Sequence, residues 1–401
     1  MIAAGHRAKA VSVDDQLRDV LSLAPAAPIV RTSLRRAAGL RLADDVTALF
    51  DLPAFDNSAM DGYAVRVEDV HRSGAVLRVV GDIPAGSPGG LTIAPGTAAR
   101  IMTGAPIPPG ANAVVAVECT QATGDAVCVG RAPQFGDHIR RAGEELSCGD
   151  LLGRRGDFLT PALIGVLASF GVAEVPVHRR PRVAVLTTGS ELVRAGEPSP
   201  AGTVYDASAT MLEALLNQDG ASVTVLDHVP DDERRLLASV RSAAEEHDLV
   251  MTTGGISAGA YEVVKQALVH CESMSFRRVA MSPGSPQGVG SIDGTPVLAL
   301  PGNPSASLIS YLVFGRPFVR QLAGQRSADH GWSRVPLAAT CVVSPEVTRF
   351  VPAVRDGQHA AALEPSAAHR LSRLATACWL LRLDAGRTAL AAGALVPGLE
   401  L

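Results

Sequence analysis

The sequence predicts a multidomain fold of the α/β plus β class. The expected parts are a three-layer α/β domain with a parallel sheet, an inserted β-rich domain, a discontinuous helical domain and a small C-terminal β domain. Three observations carry this. The chain has 401 residues, more than one ordinary core holds at ~100–200 residues per domain. From Arg182 to about Gln325, short apolar runs alternate with stretches of helical spacing, the pattern of parallel strands covered on both faces. From Asp51 to about Glu145, helical spacing vanishes and β-like runs sit between turn-rich segments.

The elements follow in order. Ser12 and Asp15 form a capping-box start, and Val13, Leu17, Val20 and Leu21 recur at helical spacing. Arg31 to Ala43 reads as a second helix. The β-like runs Ala75–Val80, Thr97–Met102, Ala113–Val117 and Ala126–Val129 are separated by the turns PAGSPGG, APIPPGAN and ATGD. Thr160-Pro161 then opens a helix that Gly171 closes. This helix is uncharged from Phe158 to Ala173, which predicts burial against the N-terminal helices and makes the β-rich block an insertion. The α/β strands are Val183–Thr187, Val223–Leu226, Leu249–Thr252 and Val297–Leu300, with helices at Ala209–Asp219, Glu233–Glu246 and Glu262–His270. From Trp332 onward the pattern is β-like again. The expected domains are 8–50 with 146–180 (largely helical), 51–145 (inserted), 181–327 (α/β) and 331–401 (barrel-like).

Composition narrows the function classes. Hydrophobic residues make up 47% and charged residues 19%, which excludes disorder as the dominant state. The formal charge is −4 and no basic stripe occurs, so nucleic acid is not an expected partner. Cys119, Cys128, Cys148, Cys271, Cys341 and Cys378 contain no CxxC pair, so neither a zinc site nor a disulfide scaffold is expected. The longest uncharged run, Gly294 to Gly315, is broken by Pro296, Pro301, Gly302 and Pro304 and does not read as a membrane span. The N-terminal stretch lacks an apolar h-region, and a cytoplasmic location is expected. Lysine occurs only at Lys9 and Lys265, so a lysine missing from a particular place is informative.

Three strand-to-helix turns stand apart: LTTGSEL (Leu186–Leu192), MTTGGISAG (Met251–Gly259) and LPGNPSAS (Leu300–Ser307). Glycine lets a ligand approach the backbone, and a following helix points free N–H groups at an anion. One such turn is only a turn. Three on one sheet edge point to a phosphate-containing ligand. Glu191, Asp231, Asp232 and Glu262 lie beside these turns. Carboxylates around an anion pocket imply a divalent cation, and oxygen ligands favour Mg²⁺. Asp231 reads equally well as a helix N-cap, and Glu262 as a first-turn acid favoured by the helix dipole.

With FDNSAMDGYAV (Phe55–Val65), ARIMTGAPIPPGANAVV (Ala99–Val115) and RRAGEEL (Arg140–Leu146) preceding these turns, the chain resembles the molybdopterin molybdenumtransferases, the MoeA family that includes the E domain of gephyrin. The resemblance is specific from about residue 12 to 325 and weaker beyond. It implies that the α/β domain binds molybdopterin. It also implies a homodimer whose active site is shared between subunits, with molybdopterin adenylyltransferase as the upstream partner. The implied reaction is Mg²⁺-dependent: adenylylated molybdopterin and molybdate give molybdenum cofactor and AMP. The family's catalytic positions fall on Asp61, Thr103, Glu145, Glu191 and Lys265, with Glu145 and Glu262 standing where the family has aspartate. Thr188, Gly189, Ser190, Gly254, Gly255, Ser257, Ser282, Ser285, Pro301, Gly302 and Asn303 would form the cofactor-binding set, with the Gly254-Gly255 and Gly302-Asn303 backbones holding the pterin phosphate. Glu191, Asp231, Asp232 and Glu262 would organise the metal. Two departures stand out. Ser282 and Ser285 replace family lysines, with Arg277 or Arg278 available to compensate. Near the C-terminus, Ala367-Ala368-His369-Arg370 stands where the family has Gly-Ser-His/Ser. The serine pair leaves open a weakened member acting as a molybdopterin-binding or scaffolding protein. The lack of a GxxxxGK[ST] loop argues against a nucleotide-dependent phosphoryl-transfer enzyme.

Overall fold

The computed structural model describes residues 10–226, 229, 232–257, 262–271, 273–325, 331–363, 370–386 and 388–401. Asp231 and the 367–369 segment lie outside the described residues. The chain forms two compact units. One comprises Met1–Asp44, Gly156–Thr160 and Glu174–Leu401; the other comprises Asp45–Arg155 and Pro161–Ala173.

In the first unit, Ser12 caps the helix Val13–Ser22 by accepting from the Asp15 amide at 3.1 Å, as its sequence pattern predicts. The segment expected to form a second helix does not. Ile29–Ser33 is a strand paired antiparallel with Glu174–His178, Leu34–Arg36 is a single 3₁₀ turn, and Arg41–Leu42 is a further short strand. Leu34, Ala37 and Leu42 mimic a helical stripe, but Ile29, Val30 and Thr32 are β-branched and take the ladder offered by Val175 and Val177.

The α/β sheet is six-stranded. Ser222–Val225, Arg182–Thr187, Leu249–Thr253 and Thr295–Leu300 run parallel, and Pro286–Ile292 and Ser275–Arg278 complete it antiparallel. Alternate residues serve opposite layers. Val183, Val185, Leu249, Met251 and Leu298 pack with Leu212, Leu216, Ile309 and Phe318 on one face. Ala184, Leu186, Val250, Val297 and Ala299 pack with Leu236, Val240, Val264 and Leu268 on the other. The two antiparallel strands escape the sequence reading because Gly288 and Gly290 interrupt one of them, yet a Cβ at Gly290 would lie 2.1 Å from the Ser273 carbonyl, so strand contact itself demands glycine there.

The remaining C-terminal chain forms a second sheet in the order Met281–Ser282, Thr348–Asp356, Trp379–Leu383, Leu395–Glu400, Trp332–Pro336, with His359–Ala362 on the side of Thr348–Asp356. Its first strand is borrowed from the α/β segment: Met281 and Ser282 pair in parallel with Thr348 and Arg349.

In the second unit a six-stranded sheet runs Ala113–Ala116, Gly62–Val65, Thr97–Ile101, Ala75–Ile83, Ala126–Val129, Thr120–Thr123. Gly62–Val65 is wholly buried, although Asp61-Gly62 has the look of a turn pair. A Cβ at Gly62 would meet the Val115 carbonyl at 2.1 Å, so this strand needs glycine to close on its neighbour. The uncharged helix, Pro161–Ser169, belongs to this unit and not with the N-terminal helix. Of its residues only Leu167 is buried; lack of charge does not produce burial within one chain.

One buried charge ties the α/β helices together. The chain from Pro304 to Leu322 is continuously helical, with a π-helical turn at Tyr311–Gly315. Asp219 closes the helix Ala207–Gln218, and its side chain is 4% exposed. Its carboxylate accepts from Tyr311 Oη at 2.7 Å, Arg316 Nε at 2.9 Å and an Arg320 guanidinium nitrogen at 3.2 Å. Burial, and then the Asp219 charge, push the Tyr311 phenol well above its ordinary value. Removing one member of a buried charged network leaves the others uncompensated, at ~3–5 kcal/mol. Asp219→Ala should therefore lower unfolding free energy by about 3 kcal/mol in urea titration. A loss below ~1 kcal/mol, the size of a surface ion pair, would show that the network is not the tie described.

Candidate functional site

A cavity of about 610 Å³ opens where the parallel strands of the α/β sheet end. Register explains why the three glycine turns meet there. Thr187 pairs with Thr253, and Thr253 pairs with Leu300, so the three strands stop level with one another. The turns then lock across the gap. The Thr188 amide donates to the Thr253 carbonyl at 3.2 Å, and the Gly254 amide to the Leu300 carbonyl at 3.2 Å. The Thr253 hydroxyl donates to the Pro301 carbonyl at 3.0 Å.

Glycine is required at the contacts. Gly254 has φ +95°, and a Cβ there would lie 2.7 Å from the Thr188 carbonyl oxygen. A Cβ on Gly302 would stand 3.1 Å from the Gly254 α-carbon. The floor of the cavity is therefore bare backbone. Asn303 caps the helix that follows the third turn, its Oδ1 accepting from the Ser305 and Ala306 amides at 3.1 and 3.2 Å.

Two of the expected acids line this cavity. The Glu191 carboxylate curls over Gly189, both oxygens 2.8 Å from where a Cβ would stand. Glu262 Oε2 accepts from the Ser257 amide at 2.6 Å, which shapes the second turn. Thr188, Gly189, Gly254, Gly255, Ser257, Pro301, Gly302 and Asn303 line it as well. Ser190 lies within the first turn, outside the lining.

Other expected residues fall elsewhere. Asp232 is the N-cap of Glu233–Glu246, accepting from the Arg235 amide at 2.9 Å. Lys265 is exposed on the helix Val263–Leu268, while its amide donates to the Gly255 carbonyl at 3.0 Å. In the serine segment it is Gly284 and Pro286 that reach the cavity. The Ser285 hydroxyl donates back to the Val279 carbonyl at 3.0 Å, and Ser282 sits in the C-terminal sheet opposite Arg349. Arg277 turns to the N-terminal helix, bonding Gln16 at 2.6 Å and Asp19 at 2.7 Å, so it does not stand in for the missing lysines. Among the described residues no group of three or more His, Cys, Asp or Glu side chains gathers as a metal site.

In the second unit, Asp61 Oδ1 accepts from the Thr103 amide at 2.7 Å and the Thr103 hydroxyl at 2.9 Å. The amide bond first, then the hydroxyl, hold the Asp61 carboxyl below its ordinary value, so it is anionic at neutral pH. Glu145 is exposed, its amide donating to the Leu52 carbonyl at 3.1 Å. Asp206 was missed by sequence reasoning. It lines the cavity and caps Ala207–Gln218 by accepting from the Ala209 amide at 3.0 Å. An aspartate directly before a helical period was the available signal.

Comparison with known proteins agrees with this arrangement. Residues 11–171 match the family described as MoeA N-terminal region (domain I and II), and residues 184–321 that described as "Probable molybdopterin binding domain". A protein of Mycobacterium tuberculosis named molybdopterin molybdenumtransferase 2 is 41% identical over 396 residues, covering 95% of this chain and 97% of that protein. The chain belongs to the molybdopterin molybdenumtransferase family. A Haemophilus influenzae member is 36% identical over 305 residues, covering 76% of this chain and 74% of its own. The solved structure of a molybdopterin biosynthesis moeA protein from Pyrococcus horikoshii superposes with a TM-score of 0.81 at 26% identity, covering 98% of this chain and 100% of that one. The fold is thus the MoeA-like multidomain fold. No helix among the described residues is long and apolar enough to cross a membrane.

The glycine contacts define a paired test. Gly196 also has positive φ, but nothing lies within 4 Å of its would-be Cβ. Gly196→Ala should cost only the conformational penalty, ~1 kcal/mol. Gly254→Ala adds a backbone collision and should cost at least ~1 kcal/mol more by urea unfolding. Equal losses would mean that the turns do not depend on this close approach.

Proposed function

We propose that the chain inserts molybdate into adenylylated molybdopterin, releasing AMP and molybdenum cofactor. The observation that carries this reading is one cavity floored by glycine backbone and edged by the carboxylates of Glu191, Asp206 and Glu262, in a chain whose relatives are named molybdopterin molybdenumtransferases. Cleaving the phosphoanhydride concentrates negative charge on the leaving phosphate. Little covalent work falls to the protein; donors already in position stabilise that charge without reorganising. The Thr188 hydroxyl, which lies beside Gly254 and Gly255, and those turn amides that do not already bond within the protein, as the amides of Thr188, Gly254 and Ser257 do, would be such donors.

The residues suit a hard divalent cation, because Mg²⁺ is commonly held by one or two carboxylates together with substrate phosphates. Glu191 and Glu262 are the carboxylates that would hold it, and when bound it would offset phosphate charge and polarise the anhydride. Asp232 is engaged as a helix cap and is not assigned to the metal in this reading. Asp61, Thr103 and Glu145 would come from the second subunit of a homodimer, with Asp61 oriented by its two hydrogen bonds from Thr103. Lys265 would act at the rim. The substrate would be supplied by an adenylyltransferase acting on molybdopterin in the cytoplasm.

The serine pair does not require a weakened enzyme. Ser282 pairs with Arg349 in the C-terminal sheet and Ser285 bonds back to the Val279 carbonyl, so neither serine lines the cavity, and the relatives named molybdopterin molybdenumtransferases support the enzyme reading.

AMP release should require both molybdate and Mg²⁺. Glu191→Gln should slow it at least ~100-fold, about 2.7 kcal/mol of transition-state stabilisation, with an unchanged melting midpoint. Equal release without molybdate would remove the insertion reading. Light scattering should report about twice the 41.4 kDa chain mass. A 41.4 kDa species at micromolar concentration would remove the shared site.

A further inference from the structure

A second cavity, of about 340 Å³, lies at the opposite edge of the α/β sheet. Residues 178–180 line it just before the strand Arg182–Thr187 begins, and residues 218–220 just before Ser222–Val225. These are the N-terminal ends of strands whose C-terminal ends carry the glycine turns. The two cavities share no residue.

Its wall is strongly cationic. Arg41, Arg179, Arg180 and Arg320 line it against one acid, Asp219. That acid is committed to Tyr311, Arg316 and Arg320. Arg179 is neutralised from outside the wall by Asp248, in a bidentate pair at 2.6 and 2.7 Å. Arg41 and Arg180 remain. Arg41 donates only to neutral acceptors, the Gly156 carbonyl at 2.9 Å and Gln325 Oε1 at 3.3 Å. Among the described residues no carboxylate forms an ion pair with Arg41 or Arg180. Burial, and then the neighbouring Arg320 charge, lower the Arg41 guanidinium from its ordinary value, with exposed Asp157 opposing them. A half-buried guanidinium at Arg41, with the exposed Arg180 on the same wall and no paired carboxylate, is an arrangement that a ligand anion relieves.

The wall also has a flat apolar element. Phe158 is 49% exposed, and the Arg41 guanidinium lies 5.5 Å from its ring centroid. Gly39, at φ +77°, lies beside the Arg180 guanidinium and the edge of the Phe158 ring. A Cβ there would stand 3.7 Å from the Arg180 guanidinium and 3.9 Å from the Phe158 ring. The opening thus places two fork-shaped donors beside an aromatic face. Guanidinium forks match phosphate oxygens bidentately, and an aromatic face accepts a stacked ring. The volume suits a small ligand.

We propose that this cavity is a second binding site, for a phosphate monoester carrying a flat ring, of the nucleoside monophosphate class, with Arg41 and Arg180 holding the phosphate and Phe158 the ring. The site is independent of the catalytic reading, because it uses none of the same residues.

The test is equilibrium dialysis of the full chain against AMP, adenosine and inorganic phosphate. AMP should bind. Adenosine, lacking the dianion, should bind at least tenfold more weakly. Inorganic phosphate should bind more weakly than AMP and compete with it. Arg180→Ala and Arg41→Gln should each weaken one class of AMP site at least tenfold, while Arg180→Lys retains part of the affinity. Glu191→Gln should leave this class untouched. Arg180 is exposed, so its replacement should leave the melting midpoint unmoved even where Arg41→Gln lowers it. AMP isotherms unchanged by both arginine substitutions would overturn the proposal. So would AMP binding lost in Glu191→Gln alone, since all binding would then lie in the first cavity.

Discussion

Close approach of backbone to backbone, with no side chain between, is the constraint on which the cavity at the end of the α/β sheet rests. The three turns are loops from separate strands, and loops ordinarily keep apart by the width of their side chains. Here Gly254 touches Thr188 on one side and Gly302 on the other. That contact merges three small glycine turns into one cavity and leaves backbone as its floor. It depends in turn on strand register, because a one-residue slip between Leu249–Thr253 and either neighbour would separate the turns by a full residue rise.

Register is held by packing from both faces. Each central strand offers alternate side chains to two helical layers, so a slip would misplace both cores at once. The helical layer that carries Asn303 at its start is anchored farther along by Tyr311, Arg316 and Arg320 on Asp219. The π-helical turn at Tyr311–Gly315 lies at the same place. One extra residue in that turn re-aims the side chains after it, which is how such turns commonly serve packing or function.

Much of this was legible in the sequence, for identifiable reasons. The parallel strands read directly, since strands buried on both faces are continuous apolar runs. The glycine turns read as a group, since three of them follow such runs. What failed was local periodicity judged without a partner. Leu34, Ala37 and Leu42 sit at helical intervals, yet the strand Glu174–His178, far away in sequence, decides that segment. Asp61-Gly62 reads as a turn because no local signal reveals that Val115 lies against Gly62. The uncharged helix Pro161–Ser169 reads as core, although only Leu167 is covered. At the site, residue type singled out carboxylates but could not rank them. Glu191 and Glu262 line the cavity, Asp232 caps a helix, and Asp206, passed over, does both.

The strand Met281–Ser282 has a consequence for how the chain can be divided. It leaves the α/β segment to become the edge of the C-terminal sheet, then returns two residues later to place Gly284 and Pro286 in the cavity wall. The C-terminal sheet is therefore not an appendage that shortening or domain exchange could remove cleanly. Cutting the chain after the last α/β helix would strip Met281 and Ser282 of their ladder partners and unpin one side of the cavity mouth. A graft from another relative would have to match Thr348 and Arg349 in register before it could support the wall. Thr348 and Arg349 thereby act on the shape of a cavity whose lining they do not join, through a two-residue splice.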